Sequence, residues 1–215
     1  MIDSELAQFE HLFEEKMKIL CSLGDDPAHD MLHLHRVVKT AKKLCAEENA
    51  KLEVVTPAAW LHDFVIVPKN DPRRSQASRL SAEAAIQFLN EISYPTEYHD
   101  EIAHAIATHS FSANLTCETR EAEIVQDADR LDGLGAIGIA RCFATAGLLK
   151  RTFYSEQDPF CHERAPADKT FTVDHFFAKL FKVAETLKTK AGQSEGHQRV
   201  SIMKTYLNHF EREIG

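Results

Sequence analysis

Four side chains, far apart along the chain, are of the types that together hold a divalent cation: His33, His62, Asp63 and Asp129. Two imidazole nitrogens and two carboxylate oxygens suit Mn²⁺, Mg²⁺, Fe²⁺, Co²⁺ or Ni²⁺ in octahedral geometry, with two positions left for water and substrate. No thiolate is offered among them, which argues against a closed structural zinc site. His62 and Asp63 sit side by side at the end of the apolar run Ala58-Ala59-Trp60-Leu61. Ending so apolar a segment in two polar groups is costly unless something satisfies them. Asp127, Asp129 and Asp132 all fall in Asp127-Ala128-Asp129-Arg130-Leu131-Asp132, and at about 100° per residue Asp127 and Asp129 point to opposite sides of a helix. They do not easily share one role, and spacing alone leaves open which of them coordinates.

Cations follow the His-Asp pair directly. The stretch Val67-Pro68-Lys69-Asn70-Asp71-Pro72-Arg73-Arg74-Ser75-Gln76-Ala77-Ser78-Arg79 is basic, polar and punctuated by proline. Leaving from the edge of a metal site, Lys69, Arg73 and Arg74 are placed to clamp phosphate oxygens, with Lys69 and Arg74 ranked first. Asn70, Ser75 and Ser78 offer neutral donors. His29 precedes the first ligand on a loop, where it could touch substrate or move a proton, and Asp26 beside it reads as a turn residue. His109 ends a helix that also carries His104, five residues earlier and facing another way.

These groups need a helical scaffold, and the apolar periodicity supplies one. Helices are predicted over 4–20, from an Asp30 cap to about 48, from a Thr56-Pro57 opening to Phe64, over 81–92, 97–109 and 121–134, and at the end over 173–190 and 196–213. Gly133, Gly135 and Gly138 break the sixth, and a polar loop covers 151–170. There is no repeat, period-2 run or hairpin signal, so the fold class is all-α: a single compact helical bundle over residues 1–215, with its metal-site core at about 25–150.

The 215 residues are 44% hydrophobic and 27% charged, with a formal net charge of −8. That acidity excludes broad binding to a nucleic acid polymer but allows a small anionic substrate in a locally basic pocket. No apolar stretch approaches the roughly 20 residues of a membrane span. The beginning, Met1-Ile-Asp-Ser-Glu-Leu, lacks the regions of a signal peptide, and five scattered cysteines with no Cys-x-x-Cys fit a reducing compartment, so a cytoplasmic protein with no membrane partner is expected. No glycine-rich phosphate loop occurs.

His33 with Arg36-Val37, then His62-Asp63, then Asp129 followed by Arg130-Leu131, resembles the signature of the HD superfamily of metal-dependent phosphohydrolases. Ala28-His29-Asp30, Lys69-Asn70, His109-Ser110-Phe111-Ser112 and Gly135-Ala136-Ile137-Gly138 look like its small stand-alone bacterial branch. The likeness extends more weakly through Asp158-Pro159-Phe160 and Asp174-His175-Phe176. It implies an HD-domain helical bundle with His33, His62, Asp63 and Asp129 as metal ligands, and resolves the choice of aspartate toward Asp129. It implies one divalent ion, Mn²⁺ or Mg²⁺ first, and a small phosphorylated substrate that is most naturally a nucleotide. Nucleoside triphosphates, cleaved by a pyrophosphohydrolase or phosphatase, come first. Asp63, His29 and His109 are the catalytic candidates. The alternatives are a nucleoside monophosphate phosphatase and a non-catalytic nucleotide-binding HD module, and a homodimer is compatible with the reading.

Overall fold

The computed structural model describes residues 3–22, 30–67, 71–110 and 113–215. His29, Asp26, Lys69, Asn70 and Phe111-Ser112 lie outside the described residues, as does the side chain of Arg74. Nine α-helices are described: α1 (Asp3–Ser22), α2 (Met31–Glu48), α3 (Leu52–Leu61), α4 (Ala77–Glu91), α5 (His99–Thr108), α6 (Arg120–Asp132), α7 (Gly135–Leu148), α8 (Phe181–Glu185) and α9 (Lys190–Ile214). Among the described residues there is no strand, only an isolated bridge between Thr152 and Phe171. The all-α class holds. None of the described helices is by itself long and apolar enough to cross a membrane.

The chain divides into two compact units, Met1–Asp129 and Arg130–Gly215, with the division falling inside α6. In the first unit α3 is the hub, packed by α1, α2, α4 and α5. That explains why every residue from Val54 to Leu61 is buried, for a helix surrounded by helices has no polar face to keep. α2 lays one stripe against it, Leu34, Val37, Val38, Ala41, Leu44 and Cys45, and His33 occupies a place in that buried stripe. Asp30 starts α2 as expected, its carboxylate accepting from the His33 N–H at 2.8 Å. Asn49 ends it in the left-handed region at φ 53°.

The third helix corrects the sequence reading. Thr56-Pro57 does not open it; the helix begins at Leu52, and Pro57 is inside. An interior proline leaves the carbonyl four residues back without its helical N–H. Here that carbonyl belongs to Glu53, and it accepts a hydrogen bond from the Tyr94 hydroxyl at 2.6 Å. The partner comes from 41 residues away in sequence, so no local pattern announced it.

The second unit has a core of Leu131, Leu134, Val173, Phe176, Leu180, Met203 and Leu207. α7 and α8 both pack against α9. The predicted helix at 173–190 is instead a five-residue π-helical turn, Phe176–Leu180, running into the short α8. The last helix starts at Lys190, where the Thr189 hydroxyl accepts from the Gly192 N–H at 2.9 Å. Gly138 permits a close approach: a Cβ there would lie 2.2 Å from the Gly133 carbonyl oxygen. The polar loop keeps its shape through Asp158, which accepts the N–H groups of His162, Glu163 and Arg164. It is also held by the buried Asp174, paired with Arg164 and accepting the Ala167 N–H.

Candidate metal centre

His62 and His109 are positioned by one local device used twice. Each is the right-handed residue that ends a helix, α3 or α5, with φ and ψ of −60° and −36° or −63° and −37°. Each ring turns back so that Nδ1 meets the carbonyl three residues earlier, Ala59 at 2.9 Å and Ile106 at 2.7 Å. A carbonyl can only accept, so Nδ1 carries a hydrogen and Nε2 is the nitrogen left to give up its proton and meet a cation. The helix ends thus gain donors for carbonyls the helix itself leaves over, and both Nε2 atoms face the Asp63 carboxylate.

Asp63 Oδ2 is 3.4 Å from His62 Nε2, and Asp63 Oδ1 is 3.7 Å from His109 Nε2. From α2, His33 Nε2 stands 3.6 Å from Asp129 Oδ1 on α6, and that oxygen is 3.9 Å from His62 Nε2. His33, His62 and Asp129 form one group of converging donors, and His62, Asp63 and His109 a second. Four residues nominated from sequence as ligands are therefore together, and His109 joins them.

The spacing fits an ion. Two donors about 2.1 Å from an octahedral cation stand about 3 Å apart when adjacent and about 4.2 Å when opposite, and the separations here fall between those values. His62 is fully buried, and its Nε2 makes no hydrogen bond within the chain. Burial alone would pull the pKa of this ring down, but the carboxylates of Asp63 and Asp129 outweigh it and push the value up to about 9. A position that attracts a proton so strongly is one where a cation is wanted, and these His/Asp groups could hold a metal.

The remaining candidates separate. Arg73 grips Asp71 through two nitrogens at 2.8 and 3.1 Å, so its charge is already used within the turn Pro72–Gln76. That pairing holds the Asp71 carboxyl down at about 2. Arg79 belongs to α4, not to a loop. His104 accepts the Glu118 N–H at 2.9 Å, away from the His109 arrangement. Asp127 is fully buried and Asp132 is buried against Arg141, so neither is a surface acid. His99 and His35 are engaged elsewhere, with the Tyr94 carbonyl and with Glu14 and Trp60. In the second unit His175 pairs with Asp168 at 3.0 Å.

Two features escaped the sequence reading. The Ser81 hydroxyl accepts the Val65 N–H at 3.0 Å and so ties the exit from the His-Asp turn to α4. Lys16 of α1 lies over the rings of Phe64, next to Asp63, and of Phe88, at 5.8 and 5.2 Å. Serine and lysine carry no positional signal, and these contacts join helices far apart in the chain.

Residues 31–134 match the family model of the HD domain. Those residues carry an HD domain, and solved proteins similar to the chain include HD-superfamily hydrolases. It is 29% identical to the YpgQ protein of Bacillus subtilis over 214 residues, 98% of this chain and 95% of that one. A solved HD-superfamily hydrolase from Bacillus thuringiensis is 28% identical and superposes with a TM-score of 0.76, over 96% of this chain and 97% of the other. Bacillus subtilis YpgQ, solved in complex with ADP, is 27% identical with a TM-score of 0.74, over 96% and 95% of the two chains.

Proposed function

We propose that the chain is a metal-dependent phosphohydrolase of nucleotides, with nucleoside triphosphates as its preferred substrates. The observation that carries this is that two groups of donors, His33, His62 and Asp129 and then His62, Asp63 and His109, meet at the buried His62 ring, whose Nε2 faces the Asp63 and Asp129 carboxylates. Both donor groups share the single Nε2 lone pair of His62, which can serve one ion, so they describe one centre. His33, His62, Asp63 and Asp129 hold a divalent cation there, Mn²⁺ or Mg²⁺ suiting the mixed nitrogen and oxygen donors. Such an ion supplies Lewis-acid activation of water and neutralises charge on a phosphoryl group.

The protein's own groups do the rest. With Nδ1 held by the Ile106 carbonyl, His109 has Nε2 to take a proton from an attacking water, and Asp63 orients it. His29 is assigned a second proton-handling or substrate-contacting role. Lys69 and Arg74 bind substrate phosphates; Arg73 does so only by leaving Asp71, which ranks it below them. ADP bound to the similar YpgQ supports a nucleotide ligand.

The test is a panel of nucleoside mono-, di- and triphosphates with Mn²⁺, Mg²⁺, Co²⁺ and Ni²⁺. Metal-dependent turnover of triphosphates is expected, with pyrophosphate or phosphate release naming the bond cleaved. Turnover of monophosphates alone would make it a monophosphate phosphatase. Tight nucleotide binding with no turnover under any metal would make it a binding module and overturn the assignment.

A further inference from the structure

Gln126 lies on α6 one turn before Asp129, and is 2% exposed. Its amide nitrogen donates to the carbonyl of Thr108 at 2.7 Å, the peptide unit that leads directly into His109. The other pole of the same amide, Oε1, is buried and makes no hydrogen bond within the chain. A buried acceptor left unmatched is destabilising, a cost that a methionine of similar shape would avoid. What the side chain contributes here is the donor on its nitrogen.

That nitrogen completes the end of α5. The last turn leaves carbonyls without helical donors: the Thr108 hydroxyl bonds back to the His104 carbonyl at 2.8 Å, and of the carbonyls left over, Ile106 accepts from His109 Nδ1 and Thr108 from Gln126. The first two bonds are local to α5. The third comes from the helix that carries Asp129, 18 residues further along the chain. We propose that Gln126 is a positioning residue of the candidate site, a brace that fixes His109 relative to Asp129. It touches neither ion nor substrate; it acts by holding the 108–109 peptide, so that the His109 ring keeps Nδ1 on Ile106 and Nε2 toward Asp63. The inference rests on the reading of His109 and Asp129 as parts of one reactive centre.

The test is Gln126→Met, which keeps the shape and removes the donor, measured alone and in a His109→Ala background. The expected result is a fall in kcat of about tenfold or more for nucleotide hydrolysis, the size of one lost buried hydrogen bond, with KM and Mn²⁺ affinity within about threefold. In the His109→Ala background the same substitution should change kcat by less than twofold, because its target is gone; equal losses in both backgrounds would overturn the brace. Nitrogen-15 NMR of the His109 ring gives a readout independent of turnover. The wild type should show one tautomer with a protected Nδ1–H, and Gln126→Met a mixture of tautomers. An unchanged ring signal would also overturn the brace, whether or not any nucleotide is hydrolysed. If the wild type is inactive on every phosphate ester, the functional reading fails and the NMR result still decides the inference. Should Gln126→Met fold poorly, Gln126→Leu serves, since it too removes the donor to Thr108, with the same two readouts and the same outcomes deciding the inference.

Discussion

Replacing Tyr94 with phenylalanine removes one hydroxyl from the interior and tests why α3 can carry a proline at all. The wild-type hydroxyl is the donor for the Glu53 carbonyl that Pro57 leaves without an N–H, at 2.6 Å, and Tyr94 is 1% exposed, so water does not replace it. A buried carbonyl stripped of its partner costs about 1–3 kcal/mol. For a chain of this size that is a loss of roughly 2–12 °C in melting temperature, at about 2–4 °C per kcal/mol. The decisive form is a double-mutant cycle with Pro57→Ala, followed by denaturant unfolding and helical circular dichroism. Alanine restores the N–H that bonds the carbonyl four residues back, so in that background Tyr94→Phe should cost less than half as much. Equal costs with proline and with alanine at 57 would refute the reasoning. Because α3 ends in His62, the same lesion should weaken cation binding at the candidate centre, and this too should recover in the double variant.

Three further outcomes follow from the charges. In metal-free protein the raised pKa of His62 stabilises the fold fully below the ordinary histidine value of about 6.5, and that contribution is lost as pH rises through about 9. Stability measured without metal should therefore fall between pH 6.5 and 9.5, and His62→Ala should flatten the slope. Since an incoming cation must displace the same proton, Mn²⁺ affinity followed by titration calorimetry should rise with pH over that interval, up to tenfold per unit; an affinity independent of pH would contradict it. In the second unit the Asp174 carboxyl is buried, which raises its pKa, but Arg164 and the Ala167 N–H together hold it below the ordinary value. Its stabilisation is present above the ordinary carboxylate range and lost as pH falls through its lowered value. Asp174→Asn should cost about 3 kcal/mol at pH 7 and much less in acid, read from denaturant midpoints at the two pH values.

How much of this was legible in the sequence differs by level. Apolar periodicity located α1, α2, α4 and α5 because each keeps one face to the core and one to water. It misplaced the start of α3, since a helix buried all round has no period to read, and Thr56-Pro57 then looked like an opening. It ran the 173–190 stretch as one helix because Phe176, Phe177 and Leu180 have helical spacing, yet the backbone takes a π-helical turn there before α8. The residues that come together, His33, His62, Asp63 and Asp129, were readable from type and order as a candidate set. What made it a set, the Ala59 and Ile106 carbonyls orienting two rings, Ser81 on Val65 and Gln126 on Thr108, consists of single hydrogen bonds to backbone groups that no composition records. Arg73 shows the opposite failure: a cation that looked available from sequence is held by an aspartate two residues away.

The central claim is that His33 from α2, His62 and Asp63 at the end of α3, and Asp129 from α6 bind one cation. Mn²⁺ binding by electron paramagnetic resonance and calorimetry on wild type and on Asp63→Ala, with helical content measured alongside, tests it most directly. The account predicts one ion per chain in the wild type and loss of at least a hundredfold in affinity in the variant, with turnover abolished and helicity kept. A variant that folds, binds Mn²⁺ as tightly as the wild type and turns over nucleotide at the same rate would contradict it.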